Sequence, residues 1–342
     1  MTTNADLLMY AVRAVVAAAK VTSRVQASLD DVRAMTKDDK SPVTVADLAS
    51  QAVIARMLAA HDPKLKLVGE EDAASLRRDD HAAHRRATLD AARVALPELT
   101  EAELLDAIDL GNAKADNAGF WTLDPIDGTK GFLRGQQYAI ALAYIVDGEP
   151  VVAVMGCPNL SPDPAVLEAT PAGNGCVFTA TAEQPARCLP LDRAIPATDV
   201  RCERGDRPLV VCGSVEAAHS NTGWTGRTLA ALSASGTAVG AGLALDSQTK
   251  YATVARGQAD AYLRLPSRPG YVEAIWDHAA GVLIAQQAGA VVTDIDGKPL
   301  DFSTGERLER NRGIVCASPS AHAAIIAAIA QEAPDRATQR GS

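Results

Sequence analysis

Apolar residues near the start of the chain recur at helical spacing. Leu8, Val12, Val15, Val16 and Ala19 fall on one face, which predicts an amphipathic helix over residues 5–28. The segment from Asp30 to Ser41 is polar and has no apolar period, so it reads as a loop. Helical spacing returns from Thr44 to Ala60 through Val45, Leu48, Val53, Ile54, Met57 and Leu58, and Lys64 to Val68 reads as a short strand. Residues 72–115 are Ala-rich and charged, the composition of a helical insertion between two functional loops.

From Phe120 the period changes. A strand is predicted into Leu123, then a turn over Asp124 to Gly128, then the apolar run Tyr138 to Val146, which Asp147-Gly148 joins to Pro150–Met155 as a hairpin. The stretch 158–208 reads as strands joined by surface loops. Beyond it, strands at 209–213, 257–265 and 290–293 are predicted among helices at 223–235, 247–256 and 277–288. Strands and helices that mix without one regular repeat predict layered sheets and helices rather than a barrel or solenoid.

The 342 residues, 47% hydrophobic and 22% charged, suffice for a sizeable core in one large or two tightly joined domains. A formal net charge of -9 argues against nucleic acid or an anionic membrane as partner, because either would be repelled at long range. A phosphorylated small molecule is still permitted, provided bound cations and a few placed basic residues meet its charge locally. No stretch is long enough to cross a bilayer, and Asp6 and Arg13 spoil the pattern of a signal peptide. The six cysteines form no C-x-x-C pair, so free buried thiols and a cytoplasmic location are expected.

The chemistry concentrates in Asp124-Pro125-Ile126-Asp127-Gly128-Thr129. Two carboxylates three residues apart on a turn repel each other unless a cation lies between them, which favours a hard metal such as Mg2+. The Ile126 carbonyl is placed to be a third oxygen ligand, Gly128 leaves room for a phosphate, and Thr129 offers a hydroxyl at a helix start. Asp-Pro and Asp-Gly are also common turn formers, so the hexapeptide alone does not decide. Glu70-Glu71-Asp72 follows the strand ending at Val68 in the same manner. Asp277, at the start of the 277–288 helix, fits a helix N-cap as well as a ligand.

Val68-Gly69-Glu70-Glu71, then Trp121 to Thr129, then Trp276-Asp277-His278-Ala279-Ala280-Gly281 resemble the three acidic signatures of the inositol monophosphatase superfamily, in order. The resemblance covers the chain from the N-terminal helix to Ser318. It implies an α/β (α+β) fold, a layered αβαβα sandwich. An N-terminal α+β domain over 1–156 would carry most metal ligands, and a C-terminal α/β domain over 157–342 the nucleotide pocket. It further implies that Glu70, Asp124, Asp127, Asp277 and the Ile126 carbonyl hold two or three Mg2+ ions, while Asp47 and Thr129 serve the attacking water.

Within the superfamily, Lys130 to Gly135, the 72–115 insertion and Leu245-Asp246-Ser247-Gln248-Thr249-Lys250-Tyr251 are most similar to the 3'(2'),5'-bisphosphate nucleotidases. That branch implies a small phosphorylated nucleotide as substrate. Ser247, Lys250 and Arg264 would contact the ribose and non-scissile phosphate, His219 the base, and Thr129 and Asp277 would also line the substrate site. His278 reads as a packing residue rather than a ligand. Inositol polyphosphate 1-phosphatases and general sugar monophosphatases share the metal site and remain alternatives, as does a non-catalytic nucleotide sensor. The chain is expected as a monomer or homodimer.

Overall fold

The computed structural model describes residues 2–29, 42–167, 175–192, 196–215, 220–268 and 270–333. The predicted loop at 30–41 and His219 therefore lie outside the described residues.

Helix α1 (Asn4–Ala27) opens with a capping box in which Thr3 and Asp6 satisfy each other's backbone donors. It packs beside α2 (Pro42–Ala59) and the smaller helix α3 (Ala82–Ala92), and α2 and α3 in turn pack against α4 (Glu101–Asp109), capped in the same way by Thr100 and Glu103. These helices cover one face of a seven-stranded sheet of β1 (Leu67–Gly69), β2 (Phe120–Asp127), β3 (Ala139–Val146), β4 (Glu149–Cys157), β5 (Cys176–Thr181), β6 (Gln184–Pro190) and β7 (Thr198–Asp199). The strands lie in chain order, with β1 parallel to β2 and the rest antiparallel. The expected insertion is the α3–α4 pair, and the Asp147-Gly148 hairpin forms with both residues at positive φ.

Alternation along the strands divides the core into layers. On β3, Ile140 and Leu142 face α1 and α2, whereas Ala139, Ala141, Ala143 and Ile145 face the other way, toward the second sheet. Small alanines on that face let α8 (Ala279–Gln287) lie close against it, beside α7 (Thr249–Ala255). The second sheet runs β11 (Val291–Thr293), β12 (Ile314–Ala317), β10 (Ala261–Arg264), β8 (Val211–Gly213), β9 (Leu243–Ala244). Its Tyr262 and Cys316 face α7 and α8, while Leu263 and Val315 face an outer layer of α6 (Thr222–Ala234) and α9 (Pro319–Gln331). Five layers result, αβαβα, as the resemblance implied. All six cysteines are buried free thiols, and among the described residues no helix is long and apolar enough to cross a membrane.

Candidate active site

The site grows from an irregularity in β2. Residues three apart on a regular strand point to opposite faces, so Asp124 and Asp127 could not serve one cavity. The β2–β3 ladder shifts register between them: Asp124 lies opposite Ala141 and Asp127 opposite Ala139. Three steps on β2 thus match two on β3, and the bulge returns both carboxylates to one side of the sheet. Pro125, which has no N–H to give to a ladder, sits inside the bulge. The expected turn over Asp124 to Gly128 is therefore a bulged strand end through Asp127, followed by Gly128 at φ 88° and the short helix α5 (Thr129–Leu133).

Glu70 reaches the same place because β1 runs parallel to β2. Its N–H donates to the Leu123 carbonyl at 3.2 Å, which sets it beside Asp124. From the far side the loop before α7 closes in. Ser247 adopts φ 66°, and the next residue, Gln248, donates its backbone N–H to Asp127 Oδ2 at 2.5 Å. Gly128 is forced by this approach, since a Cβ there would stand 2.9 Å from Ser247 Cβ. Asp277 arrives on the segment preceding α8. It does not cap that helix: α8 begins at Ala279 and its N-cap residue is His278.

One cavity of about 320 Å3 is lined by Glu70, Asp124, Ile126, Asp127, Thr129, Ser247, Lys250, Arg264 and Asp277, together with Asp246, Gln248, Tyr262 and Tyr271. Nearly every residue singled out in the sequence is thus brought to one place. Asp47 is buried on α2 just outside this lining. Its carboxyl is pushed well up by burial and by the charges of Glu71 and Glu70.

The acids repel one another. Asp124 lies well above the ordinary carboxylate range, first through burial and then through the charges of Glu70 and Asp127. Burial and Asp277 lift Asp127 to about 6, against the opposing pull of Lys250 and Arg264. Glu70 rises to about 8 through desolvation, Asp277 and Glu71, while solvent at this exposed residue screens part of the repulsion. Carboxylates and one carbonyl, with no histidine or cysteine among the lining residues, form an oxygen donor set short of positive charge, which fits a hard divalent cation.

A second cluster competes for that description. Among the described residues, the set whose potential ligand atoms all lie within 4.8 Å of one another is Glu273, Asp277 and His278. Its space is already taken. Arg264 holds Glu273 through Nε at 2.8 Å and Nη2 at 2.7 Å and approaches Asp277 at 3.6 Å. His278, wholly buried, meets Tyr251 Oη at 2.9 Å through one ring nitrogen and Glu273 at 3.4 Å through the other. A bidentate Arg–carboxylate pair with a fully partnered imidazole is an ion-pair network, so the metal reading belongs to Glu70 just after β1, the two acids of β2 and Asp277. Burial would raise Glu273, yet the His278 hydrogen bond and the Arg264 charge hold it down at about 2.

Lys250 is buried on α7, with Nζ donating to the Leu245 carbonyl at 3.2 Å and lying 5.3 Å from the centre of the Tyr262 ring. Burial lowers it to about 8 despite Asp127 and Asp246. Sequence reasoning missed Gln248, Asp246 and Glu273. Gln248 spends its side chain bridging the Trp276 carbonyl (2.8 Å) and the Gly281 N–H (2.9 Å), and Asp246 is held by Arg134 at 2.5 Å. Asp246 and Gln248 flank Ser247 within the very segment singled out, but nothing local told which of its polar side chains would be structural.

Comparison with known proteins agrees with this geometry. The inositol monophosphatase family model matches residues 4–334. A 3'(2'),5'-bisphosphate nucleotidase of Emericella nidulans is 39% identical over 320 residues, covering 86% of this chain and 89% of that protein. The 3'(2'),5'-bisphosphate nucleotidase of Schizosaccharomyces pombe is 39% identical over 87% of this chain and 86% of its own length. Among solved structures, Mycobacterium tuberculosis SuhB superposes with TM-score 0.62 at 20% identity over 97% of this chain and 99% of its own. CysQ from Bacteroides thetaiotaomicron, described as a bacterial member of the inositol monophosphatase family, superposes with TM-score 0.60 at 20% identity over 91% and 96%. Matched along almost its whole length, this chain belongs to the inositol monophosphatase family.

Proposed function

We propose that this chain is a Mg2+-dependent phosphomonoesterase that removes the 3'-phosphate of 3'-phosphoadenosine 5'-phosphate, or of its 5'-phosphosulfate. The observation that carries this reading is one cavity lined by the carboxylates Glu70, Asp124, Asp127 and Asp277, with Asp246 beside them, and by two cations, buried Lys250 and partly buried Arg264. An acidic wall alone suits any phosphomonoester bound through metal. The added cations suit a substrate with a second phosphate, and the relatives named as 3'(2'),5'-bisphosphate nucleotidases support the same substrate class.

Glu70, Asp124, Asp127, Asp277 and the Ile126 carbonyl would hold the ions. Bound there, divalent cations stabilise the charge that develops on the attacking and leaving oxygens of an in-line displacement. Asp47, buried on α2 beside the acidic cluster, would accept a proton from the attacking water. Thr129 would orient that water; its Oγ1 lies 3.5 Å from the Ile126 carbonyl, at the exposed start of α5. Ser247 and Lys250 would face the ribose and the second phosphate, with Arg264 completing the phosphate contact.

The test compares the purified enzyme on 3'-phosphoadenosine 5'-phosphate, 3'-AMP, inositol 1-phosphate and fructose 1,6-bisphosphate. The bisphosphorylated nucleotide is expected to have the highest kcat/KM. Equal or better turnover of inositol 1-phosphate would reject the substrate assignment while leaving the phosphatase chemistry in place.

A further inference from the structure

We infer that Glu273, a residue with no assigned part in the reaction, is the positioning residue that aims Arg264 at the second phosphate; the inference rests on the nucleotide reading above. A buried carboxylate beside an anion-binding cation is at first sight unfavourable, because it neutralises the charge that should attract the ligand. Its geometry supplies the reason for its presence. Arg264 has two acids in reach, Glu273 through two contacts at 2.7–2.8 Å and Asp277 through one at 3.6 Å. Held by its Nε and Nη2 edge, the planar guanidinium keeps Nη1 outside the pair with Glu273. Without Glu273, the nearest carboxylate for Arg264 is Asp277, and a guanidinium no longer held along its Nε and Nη2 edge would not present a fixed edge to the second phosphate.

Glu273 can do this because it is itself immobile. Its side chain is 6% exposed, and His278 Nε2 lies 3.4 Å from it; His278 is in turn held by Tyr251 from α7. The chain Tyr251, His278, Glu273, Arg264 thus runs from α7 through the start of α8 to the end of β10, fixing a guanidinium from beneath with groups that never meet the substrate. The backbone N–H of Leu308 donates to the Glu273 carbonyl at 2.9 Å, which ties the same residue to a further loop.

The experiment measures kcat/KM for 3'-phosphoadenosine 5'-phosphate and for 3'-AMP, and the affinity for AMP by calorimetry, in wild type, Arg264→Ala, Glu273→Gln and Glu273→Asp. Glu273→Gln can accept only one of the two Arg264 hydrogen bonds, so it should lose about tenfold or more on the bisphosphate and on AMP binding, with little change on 3'-AMP. The loss should appear mainly in KM. Glu273→Asp, which keeps the charge on a shorter stem, should recover part of it. Equal losses on both substrates in Glu273→Gln, or none, while Arg264→Ala discriminates between them, would overturn the positioning role alone. Arg264→Ala losing equally on both substrates would overturn the reading of Arg264 and this inference with it. Should Glu273→Gln fail to fold, Glu273→Asp carries the same comparison, with the same outcomes deciding.

Discussion

The backbone N–H of Gln248 donates to Asp127 Oδ2 at 2.5 Å. An acid at the end of β2 is thereby joined to the loop that carries Ser247 and Lys250, so the site proposed for metal and the site proposed for nucleotide share a hydrogen bond. Because that donor is backbone, Asp127→Asn keeps an acceptor for it and removes only the charge. Turnover should fall at least about 10²–10³-fold with the fold intact by circular dichroism. Chelation should abolish phosphate release and added Mg2+ restore it; substantial release in chelator would exclude metal dependence.

Thr129→Ala tests the water-orienting role. Residue 129 is exposed and its hydrogen bond to the Ile126 carbonyl, 3.5 Å, is long, so stability should change by less than about 0.5 kcal/mol. If the hydroxyl acts in the transition state, kcat should drop about a hundredfold or more while KM moves little. A variant with near-normal kcat removes Thr129 from the mechanism.

The acids predict a pH dependence of stability that metal should erase. Asp127 moves from 3.8 to about 6 and Glu70 from 4.5 to about 8, so above the ordinary values the folded protein still holds protons that the unfolded chain has released. The stability this contributes is complete below pH 4 or so and is lost as pH rises through about 6 and toward 8. Solvent screening at Glu70 makes the Asp127 part the clearer one. The Tm gained on adding Mg2+ to chelated protein should therefore grow from pH 5 to 8, and a gain independent of pH would show that the ion binds elsewhere.

Lys250, lowered to about 8 by burial, is charged below that value and neutral above it. If it reads the second phosphate, kcat/KM for 3'-phosphoadenosine 5'-phosphate should fall above pH 8, and that for 3'-AMP should not show this limb. Lys250→Met should remove the limb and reduce the bisphosphate value by about 10- to 100-fold at neutral pH. The same high-pH limb on both substrates would assign it to another group.

Much of this was legible along the chain because the signals are local. The period of Leu8 to Ala19, the apolar run of β3 and the Asp147-Gly148 hairpin each specify an element without reference to anything distant. The three acidic segments were legible for a similar reason: each places a carboxylate at the end of a strand or before a helix, with the residues that shape the turn beside it.

What the sequence determined by itself was therefore most of the elements as far as Thr293 and the inventory of carboxylates and cations; β12 and α9 went unpredicted. Only the tertiary structure decided which of them meet. Asp124 and Asp127 face one cavity because the β2–β3 register shifts by a residue, and a register exists only between two strands. Asp277 stands free of the helix cap because His278 takes that position. Arg264 is aimed by Glu273, and Glu273 is held by His278 and Tyr251. Those contacts join residues whose local environments are unremarkable, so no window along the chain contains them. Bulge, register and buried ion-pair geometry are settled by packing between distant segments, where a displacement of an ångström separates a metal-binding carboxylate from one that merely ends a strand.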